Sequence, residues 1–143
     1  MILVDVNILI YAYDRTSSRH EHARTWLENA LSHEEEVAFS LTVILGFLRL
    51  MTNPAIAERP LSAAQGIDVV TSWLRRSNVR VASPTDRHWE IFATLATTGQ
   101  ARGPLLMDAH LAALAIEHGA LLATTDRDFA RFPGLRFRNP LPA

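Results

Sequence analysis

The apolar positions of this chain fall into short unbroken runs separated by longer stretches of helical spacing. Ile2 to Val4, Val37 to Phe39 and Leu121 to Ala123 are runs of three, closed by Asp5, Ser40 and Thr124 in turn. Runs of that kind predict buried strands of a parallel sheet, covered on both faces. Val79, Val81 and Ala82 alternate with Arg80 and predict a further short strand. Leu135 to Phe137, after the Pro133-Gly134 turn, predicts an edge strand.

Helices fill the gaps. Ile8 to Tyr13 continues from the first strand as a short helical turn. Ser17 or Ser18 with Glu21 is a capping box for a helix with His22, Ala23, Trp26, Leu27 and Ala30 on its apolar face. Leu41 to Met51 is apolar nearly all round, so it is buried on several sides, and Asn53-Pro54 ends it. Ser62 and Gln65 form a second capping box, opening a helix to about Arg76 with Ala63, Ile67, Val70 and Leu74 inward. Ser83-Pro84 starts a helix facing inward through Trp89, Phe92, Ala93 and Ala96. The last helix carries Leu111, Leu114, Ala115 and His118 on one face. Pro104 suits its first position, which needs no N–H, and Gly119 its left-handed end. Glu34 to Glu36 is a solvated turn, and the Pro-rich tail from Asn139 is loose. Strands alternating with helices make the fold α/β: a three-layer αβα sandwich with a mainly parallel central sheet, residues 1–143 forming a single domain.

Composition narrows the chemistry. The chain has 143 residues, 48% hydrophobic and 20% charged, with net charge −1, an ordinary globular balance and not a polycation. Cysteine is absent, which removes disulfides and thiolate metal sites. All 14 basic residues are arginine, so no reaction needing a lysine amine is available. No apolar run approaches the roughly 20 residues that span a bilayer. MILVDVN lacks the basic start of a signal peptide, so a cytoplasmic location is expected.

The odd residues are acids. Asp5 and Asp126, followed by Asp128, lie just past the carboxyl ends of buried strands, the edge where open α/β sheets bind ligands. Asp108 lies in the first turn of an apolar helix whose preceding loop can reach that edge. Singly, each has a bland reading: a dipole partner for Asp108, a turn cap for Asp126. Together, unpaired with lysine, they need either a proton or a cation. All-oxygen ligands suit Mg²⁺ or Mn²⁺ rather than zinc, and Mg²⁺ holds phosphates, so phosphodiester hydrolysis is the natural reaction. His20 and His22 point to opposite sides of a helix and make no zinc site. A haloacid-dehalogenase-type phosphatase needs an Asp where Asn7 stands, and a lysine. A receiver domain also needs a lysine. There is no phosphate loop ending in Lys-Ser or Lys-Thr and no G-x-S-x-G elbow.

Four pieces, VDVNILIYAYD (4–14), FLRLMTNP (47–54), MDAHLAALAIEHGALLATTDRDF (107–129) and FPGLRF (132–137), carry a resemblance over nearly the whole chain. The chain resembles a PIN domain, specifically the VapC-type toxins of bacterial toxin–antitoxin systems. The resemblance implies a Mg²⁺- or Mn²⁺-dependent endoribonuclease toxin acting on RNA, with tRNA or another structured RNA among the targets. It further implies a homodimer, held inactive by a cognate VapB-type antitoxin that places a helix on the early helices and a basic residue in the acidic pocket. By position, Asp5, Asp108 and Asp126 match the catalytic, metal-binding acids. Asp128 matches an accessory metal-binding acid, and Asn7 and Thr124 match polar residues that orient the carboxylates. Arg49 and the C-terminal arginines, Arg127 foremost with Arg131, Arg136 and Arg138, are the candidates for contact with RNA phosphate.

One position departs from the family. Its members usually carry a Glu in the helix after the second strand, where this chain has Gly46, and no acid lies between Leu41 and Asn53. Three consequences are open: the remaining acids work with a weaker or single metal, an acid from elsewhere stands in, or the chain is a weak or inactive PIN scaffold that binds RNA or antitoxin without cutting.

Overall fold

The computed structural model describes all residues, Met1–Ala143. Five strands form one sheet: β1 (Ile2–Val4), β2 (Val37–Ser40), β3 (Val79–Ala82), β4 (Leu121–Ala123) and β5 (Phe137–Arg138), in spatial order β3-β2-β1-β4-β5. Every neighbouring pair is parallel, so the mainly parallel sheet expected is in fact wholly parallel. Leu3, Val4, Val37, Ala38, Phe39 and Leu122 are buried, as runs without alternation require. Helices α1 (Val6–Tyr13), α2 (His20–Ser32), α3 (Leu41–Met51), α4 (Ala63–Leu74), α5 (His88–Thr98) and α6 (Leu105–Glu117) connect and cover the strands. A 3₁₀ turn, Arg127–Arg131, follows β4. No helix is long and apolar enough to cross a membrane.

The chain winds outward from β1 through β2 to β3, then returns to set β4 on the other side of β1. The connections therefore part at the β1–β4 boundary, and in a doubly wound sheet the crevice above such a switch point is the place for a ligand.

Several local expectations need correction. Neither Ser17 nor Ser18 caps α2: Arg19 is its N-cap and makes no side-chain cap bond, while Ser17 Oγ accepts from Arg19 N–H. His22 is exposed, and Ala23, Leu27 and Leu31 form the buried stripe. The inner face of α4 is Gly66, Val70 and Trp73, with Ile67 and Leu74 outside. Trp89 is 75% exposed, and Leu95 is the buried residue of α5. α6 is buried round most of its girth, from Leu111 through Ala115, and His118 caps it, bonding Ser83 O through Nε2. Pro104 precedes α6 as its N-cap rather than opening it. Glu36 is half-buried and pairs with Arg80 at 2.6 Å. The tail is anchored by Leu141, which is buried in the core.

Other expectations match. Ser62 and Gln65 form a reciprocal capping box, and Gly119 takes φ +64° after α6. Trp73 is the centre of an aromatic cluster: it stacks on Phe39 at 5.1 Å, meets Phe47 edge-on at 4.9 Å, and donates Nε1–H to the Tyr13 hydroxyl at 2.9 Å.

Candidate functional site

Asp5 and Thr124 leave the sheet side by side. Val4 is in register with Ala123, and Asp5 N–H donates to Ala123 O at 3.0 Å. Asp5 is 8% exposed and serves as N-cap of α1, its Oδ1 accepting Val6 N–H at 2.7 Å. Its Oδ2 accepts the Thr124 hydroxyl at 2.7 Å, and the same Thr124 oxygen accepts Asp126 N–H at 3.0 Å. Asp126 in turn caps the 3₁₀ turn by accepting Asp128 N–H at 2.8 Å. A run of hydrogen bonds thus passes from the end of β1 to the turn after β4, and the Asp5 and Asp126 carboxylates on it are each held by a backbone or hydroxyl donor.

Asp108 enters from the first turn of α6. Burial, then the negative charges of Asp5, Asp126 and Asp128, push its carboxyl up to about 6, against a pull in the other direction from Arg131. Burial also raises Asp5, and Asp126 adds to that, while the bonds from Thr124 and Val6 N–H oppose it. All four acids therefore occupy one electrostatic neighbourhood at the β1–β4 crevice. Like charges gathered in a half-buried place favour a proton or a cation.

The donors fit a hard divalent cation of the Mg²⁺ kind. They are carboxylate oxygens, and Asn7 Oδ1, two residues beyond Asp5, is shielded from water with no hydrogen-bond partner. Such an orphaned carbonyl oxygen is what a cation or its bound water satisfies. No three His, Asp or Glu side chains come together tightly enough to cage an ion by themselves. A Mg²⁺ site does not need that cage, because the ion keeps several waters and takes one or two carboxylates directly.

Gly46 lies against the start of α1. A Cβ built there would touch only Val6 Cγ2, at 3.6 Å. That is ordinary contact, so packing at the Cβ position does not by itself require glycine there. Arg49, one turn further, is exposed, as is Arg127 between Asp126 and Asp128.

Two features had no clear signal in the sequence. Arg131 bonds Gly99 O through Nη1 at 3.1 Å and acts on Asp108. Away from the acids, the nearly inaccessible Glu117 carboxylate takes His88 Nδ1 at 2.7 Å and Thr85 N–H at 2.7 Å, and His88 Nε2 meets His110 Nδ1 at 2.9 Å. This network pins α5 to α6. His88 and His110 lie 22 residues apart, a distance at which no local periodicity could pair them.

A cleft of about 950 Å³ lies elsewhere, among α1, α2, α3 and α4. Leu27, Leu31, Met51 and Trp73 line it, with Arg15, Arg24, Arg59 and Arg76 around them.

Comparison with known proteins agrees with this architecture. The PIN domain family matches residues 2–135. Ribonuclease VapC37 of Mycobacterium tuberculosis is 40% identical over 140 residues, 98% of this chain and 97% of that protein. Ribonuclease VapC43 of the same species is 37% identical over 141 residues, 99% and 96% of the two chains. Among solved structures, VapBC2 from Rickettsia felis bound to a DNA fragment from their promoter superposes with a TM-score of 0.69 at 21% identity, covering 97% of this chain and 98% of that one.

Proposed function

The chain belongs to the PIN-domain family, and on that premise we propose that it is a VapC-type toxin: a cytoplasmic endoribonuclease, dependent on Mg²⁺ or Mn²⁺, that hydrolyses RNA phosphodiester bonds and is neutralised by a VapB-type antitoxin. The relatives named ribonucleases at up to 40% identity support the activity. The observation that carries the site is the Thr124 hydroxyl shared between Asp5 and Asp126, which ties the acids of two neighbouring strands together above the switch point.

In this reading Asp5, Asp108 and Asp126, aided by Asp128, would hold the cation, and Asn7 Oδ1, buried without a partner, would be a further oxygen donor. The bound cation lowers the pKa of water and offsets charge on the phosphate oxygens. The protein's own contribution is placement. Asp5 is fixed by two donors and needs no reorganisation when substrate arrives. The Asp108 carboxyl, pushed up to about 6, is still mainly ionised at neutral pH and is available there to a cation. Thr124 keeps its proton directed at Asp5 and its lone pair at Asp126 N–H, which fixes the spacing of the two carboxylates. Arg49 and Arg127, both exposed, are available to RNA phosphates.

The cleft among α1 to α4 supports the antitoxin side of the proposal. Its floor is apolar and its rim mixes Arg15, Arg24, Arg59 and Arg76 with Asp14, Glu28 and Glu58, which suits an amphipathic helix carrying charges of both signs, and it stands on the early helices rather than over the acids.

The test is RNA cleavage by purified protein with Mn²⁺ or Mg²⁺, with and without EDTA, alongside Asp5→Asn and Asp108→Asn. Metal-dependent cleavage lost in both variants is the expected result, and full activity in either would refute the site. The lack of an acid at Gly46 favours a second reading, a PIN scaffold that binds but cuts poorly. Calorimetry with Mn²⁺ separates the two, since a dead scaffold shows no carboxylate-dependent heat.

A further inference from the structure

Arg131 closes the 3₁₀ turn that opens with Asp126 and Asp128. Its Nη1 donates to Gly99 O at 3.1 Å, tying the guanidinium to the segment that leads into α6 and Asp108. The anchor is rigid, because Gly99 packs so closely that an added Cβ would stand 3.0 Å from the Phe132 ring. The other edge of the guanidinium, Nε and Nη2, has no partner in the protein, and Nε is shielded from water as well. No carboxylate comes within ion-pair distance of Arg131, although its charge is felt at Asp108. A shielded donor without a partner is destabilising, and it persists where a ligand supplies the missing acceptor. The Nε–Nη2 edge presents two parallel N–H groups, the geometry that matches two oxygens of one phosphate.

We propose that Arg131 is a backbone-phosphate clamp, receiving two oxygens of an RNA phosphate beside the acids. This rests on the ribonuclease reading and deepens it. Unlike Arg49 and Arg127, which are free surface groups, Arg131 is held in place before RNA arrives, so it sets the register of the strand as well as adding charge.

The experiment measures binding of a short fluorescein-labelled single-stranded RNA in Mg²⁺ over a series of salt concentrations. All proteins carry Asp5→Asn so that the probe is not consumed. Arg131→Ala is expected to weaken binding about tenfold and to lower the slope of log affinity against log salt by about one. Arg131→Lys keeps the slope but recovers only part of the affinity, because an ammonium cannot fork onto two oxygens. Arg75→Ala, the same loss of charge at the exposed end of α4, leaves affinity within about twofold. If Arg131 is only a strut to Gly99, Arg131→Ala melts at lower temperature but binds as well as its parent, and the proposal is overturned. Should Arg131→Ala fail to fold, Arg131→Lys and Arg131→Gln decide, and parental affinity in both overturns it. Cleavage of the same RNA by the chain with Asp5 intact separates the two levels: cleavage without dependence on Arg131 refutes the clamp alone, whereas neither cleavage nor binding refutes the ribonuclease reading and the clamp with it.

Discussion

The Thr124 hydroxyl donates to Asp5 Oδ2 at 2.7 Å across 119 residues of sequence. It is the only side-chain donor to a buried carboxylate that also organises the next acid along the chain. Thr124→Val keeps the shape and removes the bond. A stability loss of about 1–3 kcal/mol follows from leaving the Asp5 oxygen unpaired, and the Asp5 carboxyl rises further, since Thr124 holds it down. Urea denaturation measures the first effect. Thr124→Ser restores most of both, and a Val variant as stable as the parent would show that the bond carries nothing.

The Asp108 carboxyl sits at about 6, above its ordinary value of 3.8. Between those values the metal-free folded protein holds a proton that the unfolded chain releases. Stability therefore falls as pH rises through this window and levels off above it. Thermal melts of metal-free protein at about pH 4.5, 5.5 and 7 are expected to show the decline, with a shallower one in Asp108→Asn. Added Mn²⁺ competes with the same proton, so it raises the melting temperature more at neutral pH than at acid pH. A melting temperature that climbs steadily through the window in wild type and Asp108→Asn alike would contradict this account.

Gly46 costs helix stability without a packing reason. Gly46→Ala is expected to stabilise the protein by about 0.5–1 kcal/mol in urea denaturation, because its Cβ meets only Val6 at an ordinary distance. Gly46→Glu is expected to tighten Mn²⁺ binding in calorimetry and to raise cleavage. Destabilisation by Ala would mean that the space is not free.

Trp73 joins α4 to the sheet and to α1. Trp73→Ala is expected to cost about 3–5 kcal/mol. Trp73→Phe preserves the stacking on Phe39 but loses the Tyr13 bond, and the Tyr13 hydroxyl, already raised by burial, titrates higher still. Denaturation and ultraviolet titration follow the two effects separately.

The strands, and the acids at their ends, were readable from local pattern alone. A strand buried on both faces has no choice of side to make, so Ile2–Val4, Val37–Ser40 and Leu121–Ala123 appear as plain apolar runs. Asp108 stood out because a carboxylate is rare in so apolar a helix. Helix orientation was harder. Residues of α4 such as Ile67 and Val70 offer two apolar faces, and the one buried is selected by Tyr13, Phe39 and Phe47, which are remote in sequence. Trp89 went the same way: it fits an apolar stripe by spacing yet lies outside the core. The Gly99 anchor of Arg131 and the Glu117–His88–His110 network depend on tertiary approach, for which a single sequence carries no mark.

Because β4 inserts beside β1 only after β2 and β3 have been laid down on the far side, growth of the polypeptide has a consequence of its own. Asp5 is synthesised well before its hydroxyl partner and the other acids, which follow more than 100 residues later. A polypeptide ending before Leu121 leaves β1 without its β4 neighbour and lacks Thr124, Asp126 and Asp128. Such a fragment cannot assemble the acidic crevice, whatever else of the sheet it forms.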